Sequence, residues 1–537
     1  MRSGVPCFPR SFNGTVQRSR AKPFDRPAGS RYNRGFGGAM KDTTTRLGDS
    51  TRLSLATRIG FGVGDIYGGG AVTIVGILYL YFLTDVVRIR PALAGTVILI
   101  SKIWDAVSDP LMGNLSDRTR TRWGRRRPYF LIGVPLVFAS TVLLWFPVAF
   151  ASETGRFIFV LAAYVVFSTV ITMVMIPYNA LASELTTDYN ERTRLSTARI
   201  VFSTIGSGLC AVFPLVIVNS FASTRHGFLA MGASFGVLFA LPFIAVFLMT
   251  SERRDFQEHS ARPSLYATFV EPFRIKPFVH ILMMYLFAFV ASDALQSVVI
   301  YYMTYYLGRA GDTTTLLGTL LVMQLVSLAF FGWLSRRTSK RAAFGLGAAM
   351  WIVAMAFSLL IRPGQWAGIV YLFGAVVGFA NGGIVVMIYA IFPDMPDIDE
   401  LYSGVRREGV YSGLFTFMRK LSSAFALFTI ANLLELTGYR APIEGPDGLL
   451  VDQPQAAGFV LSLRLIFFGV PVVLMLLSLF GARLYRLTPQ LHDRLRVFLD
   501  RRRAGDPSES ADDRAEEQEL RAALALPERP RPSGEQP

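Results

Sequence analysis

Twelve times along this chain, a run of roughly 20 apolar residues ends in a short polar break. No other feature constrains the fold as strongly. A run of that length matches the hydrocarbon thickness of a bilayer, where a helix satisfies all its own backbone hydrogen bonds. The runs cover 57–84, 91–116, 128–151, 156–180, 197–221, 227–249, 277–306, 313–335, 342–361, 366–392, 410–436 and 457–484. The sequence predicts an all-α membrane protein with twelve transmembrane helices. It is expected to be multi-pass in the cell membrane (the inner membrane in a bacterium) and in contact with the lipid bilayer.

The loops between the runs differ in charge. The formal net charge of +16 would suggest nucleic acid in a soluble chain. Here the basic residues collect in alternate loops, so no nucleic-acid partner is expected. The loop after span two holds Arg118, Arg120, Arg122, Arg125, Arg126 and Arg127, and the loop after span eight holds Arg336, Arg337, Lys340 and Arg341. Loops after the odd-numbered spans are poorer in arginine. By the positive-inside bias, both termini are expected in the cytoplasm. The two cysteines, Cys7 and Cys210, lie in a polar tail and an apolar run, which argues against a disulfide framework or a metal site.

An internal repeat divides the chain in two. Gly113-Asn114-Leu115-Ser116-Asp117-Arg118-Thr119 ends span two, and Gly332-Trp333-Leu334-Ser335-Arg336-Arg337-Thr338 ends span eight. Both read G-x-L-S-x-R-T, at the same place in each set of six spans. Six plus six spans in parallel orientation is the layout of the major facilitator fold. The expected organisation is a disordered cytoplasmic tail over 1–50 and an N-terminal six-helix half over 51–249. A central cytoplasmic loop over 250–276 leads to a C-terminal half over 277–486. The last part, 487–537, is a charged, mobile cytoplasmic tail with a short surface helix over 510–525. Asp117, Arg118 and Arg125 in the arginine-rich loop are expected to serve topology and gating.

Ionisable groups inside apolar runs are costly and need a reason. Asp105 and Asp109 lie in span two, within Ser101-Lys102-Ile103-Trp104-Asp105-Ala106-Val107-Ser108-Asp109-Pro110. Four residues apart, they share one helix face. At about 6 Å and an effective dielectric near 20, their charges repel by roughly 3 kcal/mol. A proton or a sodium ion relieves that repulsion, so the pair is a candidate coupling-cation site. The alternative is permanent neutralisation by Lys102 and an arginine from elsewhere.

Other polar residues in the runs are candidate partners. Asp65 sits in Gly62-Val63-Gly64-Asp65-Ile66-Tyr67-Gly68-Gly69-Gly70, whose glycines allow close packing or a helix break. It is read as a substrate contact or as a counter-ion for an arginine. Arg199 either pairs with Asp65 and binds substrate or snorkels to the interface. Thr172 is a candidate neutral cation ligand, or bonds back to its own helix. Asn179 follows it in span four. In the second half, Asp293 and Asn381 are candidate cavity residues, and Lys420 is a candidate bridge towards span two. Asp394-Met395-Pro396-Asp397-Ile398-Asp399-Glu400 and Arg406-Arg407-Glu408 form either a salt-bridged gate or a solvated loop.

The sequence carries no phosphate loop G-x-x-x-x-G-K-[ST], no H-E-x-x-H and no G-x-S-x-G, and its four histidines are scattered. An enzyme is not expected, and neither is a cofactor.

Several stretches together resemble the glycoside–pentoside–hexuronide:cation symporter family, whose best-known member carries melibiose. They are Gly62-Val63-Gly64-Asp65, Tyr81-Phe82-Leu83-Thr84-Asp85-Val86-Val87, Ile103 to Pro110 and Arg122-Trp123-Gly124-Arg125-Arg126-Arg127-Pro128. Ile176-Pro177-Tyr178, Tyr301-Tyr302-Met303-Thr304-Tyr305 and Arg419-Lys420-Leu421-Ser422-Ser423-Ala424-Phe425 match as well. The resemblance covers roughly 57–485 and implies a role for each candidate. Asp105, Asp109 and Thr172 match cation ligands, Asp65 and Arg199 match sugar contacts, and Lys420 matches a lysine near the cation site. One departure is visible. Where the melibiose carrier has an aspartate in span four, this chain has Met175, and Asn179 stands at the position of the aromatic sugar platform.

The expected function is symport of a sugar, glycoside or uronide, driven by Na+ or H+ and working by alternating access, with a monomer as the working unit. A carrier of lysophospholipids or other amphiphiles is the alternative. A non-transporting sensor or scaffold is a further one.

Overall fold

The computed structural model describes residues 53–186, 189–251, 270–404, 407–445, 450–503 and 511–526. The expected tail over 1–50 and most of the loop 250–276 lie outside the described residues. Among the described residues, twelve helices are long and apolar enough to cross a membrane. In order they are Leu55–Tyr79, Pro91–Arg118, Arg127–Leu144, Glu153–Ala182, Arg194–Asn219, Thr224–Met249, Lys276–Tyr306, Ala310–Arg337, Lys340–Leu360, Gly368–Ser403, Gly413–Leu436 and Ala457–Leu484. They are numbered spans one to twelve below. Each falls on one of the twelve apolar runs. Span three stops at Leu144, short of the expected 151, because Trp145 leaves the helical conformation and Pro147 follows two residues later. Ser152 starts span four by accepting a hydrogen bond from the Gly155 amide at 3.1 Å.

Lipid offers helices no hydrophobic reason to associate, so close packing of small residues takes its place. Span one lies along span five, where a Cβ on Gly206 would overlap the Ile66 backbone. Span ten lies along span eight through Gly378 and Gly382, whose missing side chains leave room for the Leu320 and Gln324 carbonyls. Gly378→Val is expected to lower thermal stability in detergent by about 1–3 kcal/mol. Gly345→Ala, made where a Cβ meets nothing within 4 Å, should leave the melting temperature in place.

Span one and span seven end alike. After span one a π-helical turn, Phe82–Val86, closes with Val87 N bonded to Phe82 O and Ile89 N to Leu83 O. After Tyr301, the turn Tyr302–Tyr306 closes with Leu307 N bonded to Tyr302 O and Arg309 N to Met303 O. The left-handed residue is Arg88 in one case, at φ 61°, and Gly308 in the other, at φ 64°. This register pairs Tyr81 with Tyr301, Thr84 with Thr304 and Asp85 with Tyr305. The separation of 220 residues is within one residue of that between Gly113 and Gly332.

These two matching ends meet. Tyr305 donates a hydrogen bond to Asp85, and the Thr84 and Tyr301 hydroxyls lie 2.6 Å apart. Nearby, the Ala92 amide at the start of span two donates to Glu435 Oε2 of span eleven at 2.7 Å. Gly95 lies against Phe428 and Ala431, and Gly208 of span five lies near Leu321 of span eight. The seam between spans one to six and spans seven to twelve is therefore closed at the end opposite the arginine-rich loop. At the arginine-rich end the described ion pairs stay within one set of six: Arg58–Glu191, Arg126–Glu184, Lys340–Asp394 and Arg407–Asp399.

Beyond span twelve the chain forms two helices, Pro489–Arg503 and Ala511–Leu524. Only the second was expected. The periodic run Leu495, Phe498, Leu499 is short and sits among arginines, but it is buried, as are Leu520 and Leu524. Arg503 bonds Glu400 at the end of span ten and holds the first of these helices against it.

Candidate functional site

Span two runs unbroken through Pro110, so Asp105 and Asp109 keep their shared face. Their surroundings differ. Asp105 is 1% exposed. Its Oδ2 accepts from Lys102 Nζ at 3.0 Å, one turn earlier, and its Oδ1 from Ser168 Oγ of span four at 2.5 Å. Asp109 is only partly buried. Its Oδ1 accepts from Thr172 Oγ1 at 2.8 Å, and its Oδ2 from Lys420 Nζ of span eleven at 2.5 Å. Ser108 Oγ lies 3.5 Å from Thr172 Oγ1. Both carboxylates are thus neutralised, by two lysines rather than by a lysine and an arginine. One pair is internal to span two. The other crosses between the two sets of spans.

Asp65 opens the second helical stretch of span one, after a break at Val63 and Gly64. It is 5% exposed. Arg199 Nε lies 3.2 Å from its Oδ2, while Oδ1 is buried with no hydrogen-bond partner among the described residues. Arg199 also lies over the Tyr178 ring at 5.5 Å, and Tyr178 stacks on Phe61 and donates to the Phe61 carbonyl at 2.8 Å. Arg199 is therefore paired and keeps a third of its side chain exposed, whereas Asp65 is enclosed. Met175 touches the same corner, next to Gly68. Asn179 is exposed, two helical turns beyond Thr172 and on the same face of span four.

In the second set of spans Asp293 is clamped by Arg419 through two hydrogen bonds, 2.6 and 2.8 Å. The Arg419 guanidinium lies 4.7 Å from the Phe289 ring centre. Asn381 accepts from Ser292 Oγ at 2.9 Å and reaches Gln324 at 3.5 Å. Arg419 and Lys420, adjacent in sequence, point about 100° apart on the helix. The first grips its own set of spans and the second reaches across to Asp109.

At the arginine-rich end, Asp117 pairs with Arg126 at 3.1 Å, and Arg125 and Arg126 both meet Glu184 of the span-four helix, at 2.6 and 2.8 Å. Arg118 is exposed in the last turn of span two. The last part of span ten is helical, Met395–Ser403, and Asp394, Asp397 and Asp399 are all buried, so this segment is no solvated loop. Lys340 donates to both oxygens of Asp394 at 2.9 Å, and Arg407 grips Asp399 at 2.7 and 2.8 Å.

Three contributors were missed in the sequence. Ser168 stands four residues before Thr172, the same spacing as Asp105 and Asp109, and that rhyme was available. Glu184 lies just past the span-four run. Arg419 was noted only as the neighbour of Lys420. Among the described residues no three His, Cys, Asp or Glu side chains gather around a common point that could hold a metal ion. A bound Na+ would depend on two carboxylates and neighbouring hydroxyls.

The family model described as MFS/sugar transport protein matches residues 60–489. This chain belongs to that family. As a family member it is a multi-pass membrane transporter and not an enzyme. It is 29% identical to an uncharacterized symporter of Synechocystis sp., over 84% of this chain and 97% of that protein. It is 26% identical to an isoprimeverose transporter of Lactiplantibacillus pentosus, over 80% and 88%. It is 23% identical to a sphingosine-1-phosphate transporter of Xenopus tropicalis, over 85% and 92%. A solved bacterial homolog of the human lysosomal transporter Spinster shares the fold at a TM-score of 0.58 and 14% identity, over 81% of this chain and 98% of that one.

Proposed function

We propose that this family member is a symporter, driven by Na+ or H+, for a sugar, glycoside or uronide. It works as a monomer by alternating access, with the arginine-rich end and both termini on the cytoplasmic side. One observation carries the reading. Asp109 is held by Thr172 from its own set of spans and by Lys420 from the other. A cation on Asp109 takes over the charge that Lys420 neutralises, and Lys420 is released from span two. Cation binding then biases the packing of one half on the other, which is the differential contact that coupling requires.

The remaining roles follow from position. Asp105, Asp109 and Thr172 bind the cation, and Lys102 pairs with Asp105. Arg199, Asp65, Asn179 and Asp293 face the substrate, with Arg199 presenting the accessible surface. Asp117, Arg118 and Arg125 belong to the arginine-rich gate, and Lys420 couples the halves. The isoprimeverose transporter among the relatives supports a glycoside substrate. The sphingosine-1-phosphate transporter supports the amphiphile reading as the second choice.

A thermal-shift screen of the purified protein against sugars, uronides and lysolipids, each with and without sodium, tests both. A ligand held at a hundred times its Kd adds about 2.7 kcal/mol of stability. The expected result is a shift with a sugar or uronide that grows with sodium or with falling pH. A shift with lysolipids alone would replace the first reading with the second.

A further inference from the structure

Two carboxylates with no basic partner among the described residues meet at the closed end of the seam, in polar surroundings that the transport site does not use. Asp85, in the connection between spans one and two, is 2% exposed. Asp452 follows β2 (Leu450–Val451) of the small antiparallel hairpin it forms with β1 (Ile443–Glu444), between spans eleven and twelve. The Tyr305 hydroxyl reaches both: it contacts Asp85 Oδ1 and lies 3.5 Å from Asp452 Oδ1 and 3.4 Å from the Tyr439 hydroxyl. Thr84 Oγ1 donates to Asp85 Oδ2 at 2.5 Å and touches the Tyr301 hydroxyl.

The other groups around Asp85 do not supply a partner cation. Tyr81 lies on its own turn. Glu435 of span eleven accepts the Ala92 amide, and Arg90 is held by Glu153 at 3.2 Å. Arg88 follows in the same connection and has its own partner. Among the described residues no Lys, Arg or His pairs with Asp85 or Asp452, and the second carboxylate adds repulsion.

A phenol has one proton to donate. Tyr305 spends it on Asp85, so its approach to Asp452 sets two acceptors against each other. With both carboxylates ionised, Asp85 is a buried negative charge beside the exposed charge of Asp452, and the two compete for the single Tyr305 proton. A single added proton removes both faults.

We propose that Asp85 is a second proton-binding site, which holds a proton while this end of the bundle is closed and releases it when Tyr305 and the segment around Asp452 draw away. Burial pushes the Asp85 carboxyl up to about 7, against the pull of the Thr84, Tyr305 and Tyr439 hydrogen bonds. Burial raises Asp452 as well. Once opened to water, Asp85 returns towards about 3.9. The closed end therefore binds the extra proton between about pH 4 and 7, and closure is favoured as pH falls through that window. The closed-to-open ratio changes by up to about tenfold per pH unit. Above the closed-state value the advantage is gone. This site needs neither substrate nor the cation at Asp109, so its success or failure is independent of the transport reading.

The test uses the full-length protein in lipid nanodiscs. Infrared difference spectroscopy should show the carbonyl band of a protonated carboxyl titrating near pH 7, a band absent in Asp85→Asn. Asp452→Asn removes the neighbouring charge and should move the midpoint down, and Tyr305→Phe removes a hydrogen bond to the ionised form and should move it up. Opening is read by thiol labelling of Ala431→Cys, a position buried against Gly95 across the seam, made together with Cys7→Ser so that the buried Cys210 is the one remaining native thiol. Labelling should accelerate from about pH 5 to about pH 8 more in this protein than in the same variant carrying Asp85→Asn. The proposal is overturned if no carboxyl band titrates in this range. It is equally overturned if Asp85→Asn keeps both the band and the parent's labelling profile.

Discussion

Asp109→Asn should collapse cation-driven accumulation while the protein still folds and inserts. Asparagine keeps the size of the side chain and its hydrogen bond with Thr172. It removes the charge that Lys420 and the cation share. Lys420 and Asp109 are both partly exposed, so Lys420 can turn to water, and the loss of the pair itself costs little. What disappears is the difference between the cation-free and cation-bound states. Couplings of this kind run at roughly 1–3 kcal/mol, or about 5- to 150-fold. Steady-state accumulation in proteoliposomes with an imposed cation gradient should fall by about that factor, towards simple equilibration. Stabilisation by sodium or by low pH should vanish with it. Lys420→Ala should differ: it leaves Asp109 ready for the cation and should raise cation affinity while weakening coupling. Accumulation that survives Asp109→Asn unchanged would remove the span-two site from the mechanism.

Asp105 makes the contrast clear. The two aspartates look equivalent in the sequence, four residues apart on one helix. In the folded protein Asp105 is sealed between Lys102 and Ser168, while Asp109 faces the other half. The i,i+4 spacing was legible because helix geometry alone fixes it. Which lysine meets which carboxylate was not, because that depends on how span four and span eleven are rotated against span two. Lys420 is 311 residues from Asp109, and no local rule links them. The twelve spans were readable because lipid is an unforgiving solvent, and each must carry its apolar length in its own sequence. The helices after span twelve carry only a narrow apolar stripe among arginines and aspartates, so their docking was hidden. Asp85 and Tyr305 show a third case. Both stretches were visible as motifs, but their contact exists only because the two halves are closed at that end, which is a property of the conformational state.

Arg407 is the second residue whose loss should be severe, for reasons of stability rather than coupling. Asp399 is fully buried, at 0% exposed, in the helix that extends span ten. Arg407 grips it with two hydrogen bonds and also reaches Glu271, just before span seven, at 2.5 Å. The hydrogen bonds to Asp399 push the guanidinium further into its charged range. Arg407→Ala strands a buried carboxylate, a change that costs about 3–5 kcal/mol where one partner of a buried pair is removed. A clear drop in melting temperature in detergent should follow. Adding Asp399→Asn should recover much of it, because a neutral amide in that place no longer needs a cation. If the double variant melts as low as the single one, the cost lies in lost packing of the Arg407 stem and not in the stranded charge. The same arginine ties the end of span ten to the start of span seven. Arg407 therefore contributes both to stability and to the tie at the arginine-rich end, and the double variant should restore the first without restoring the tie to Glu271.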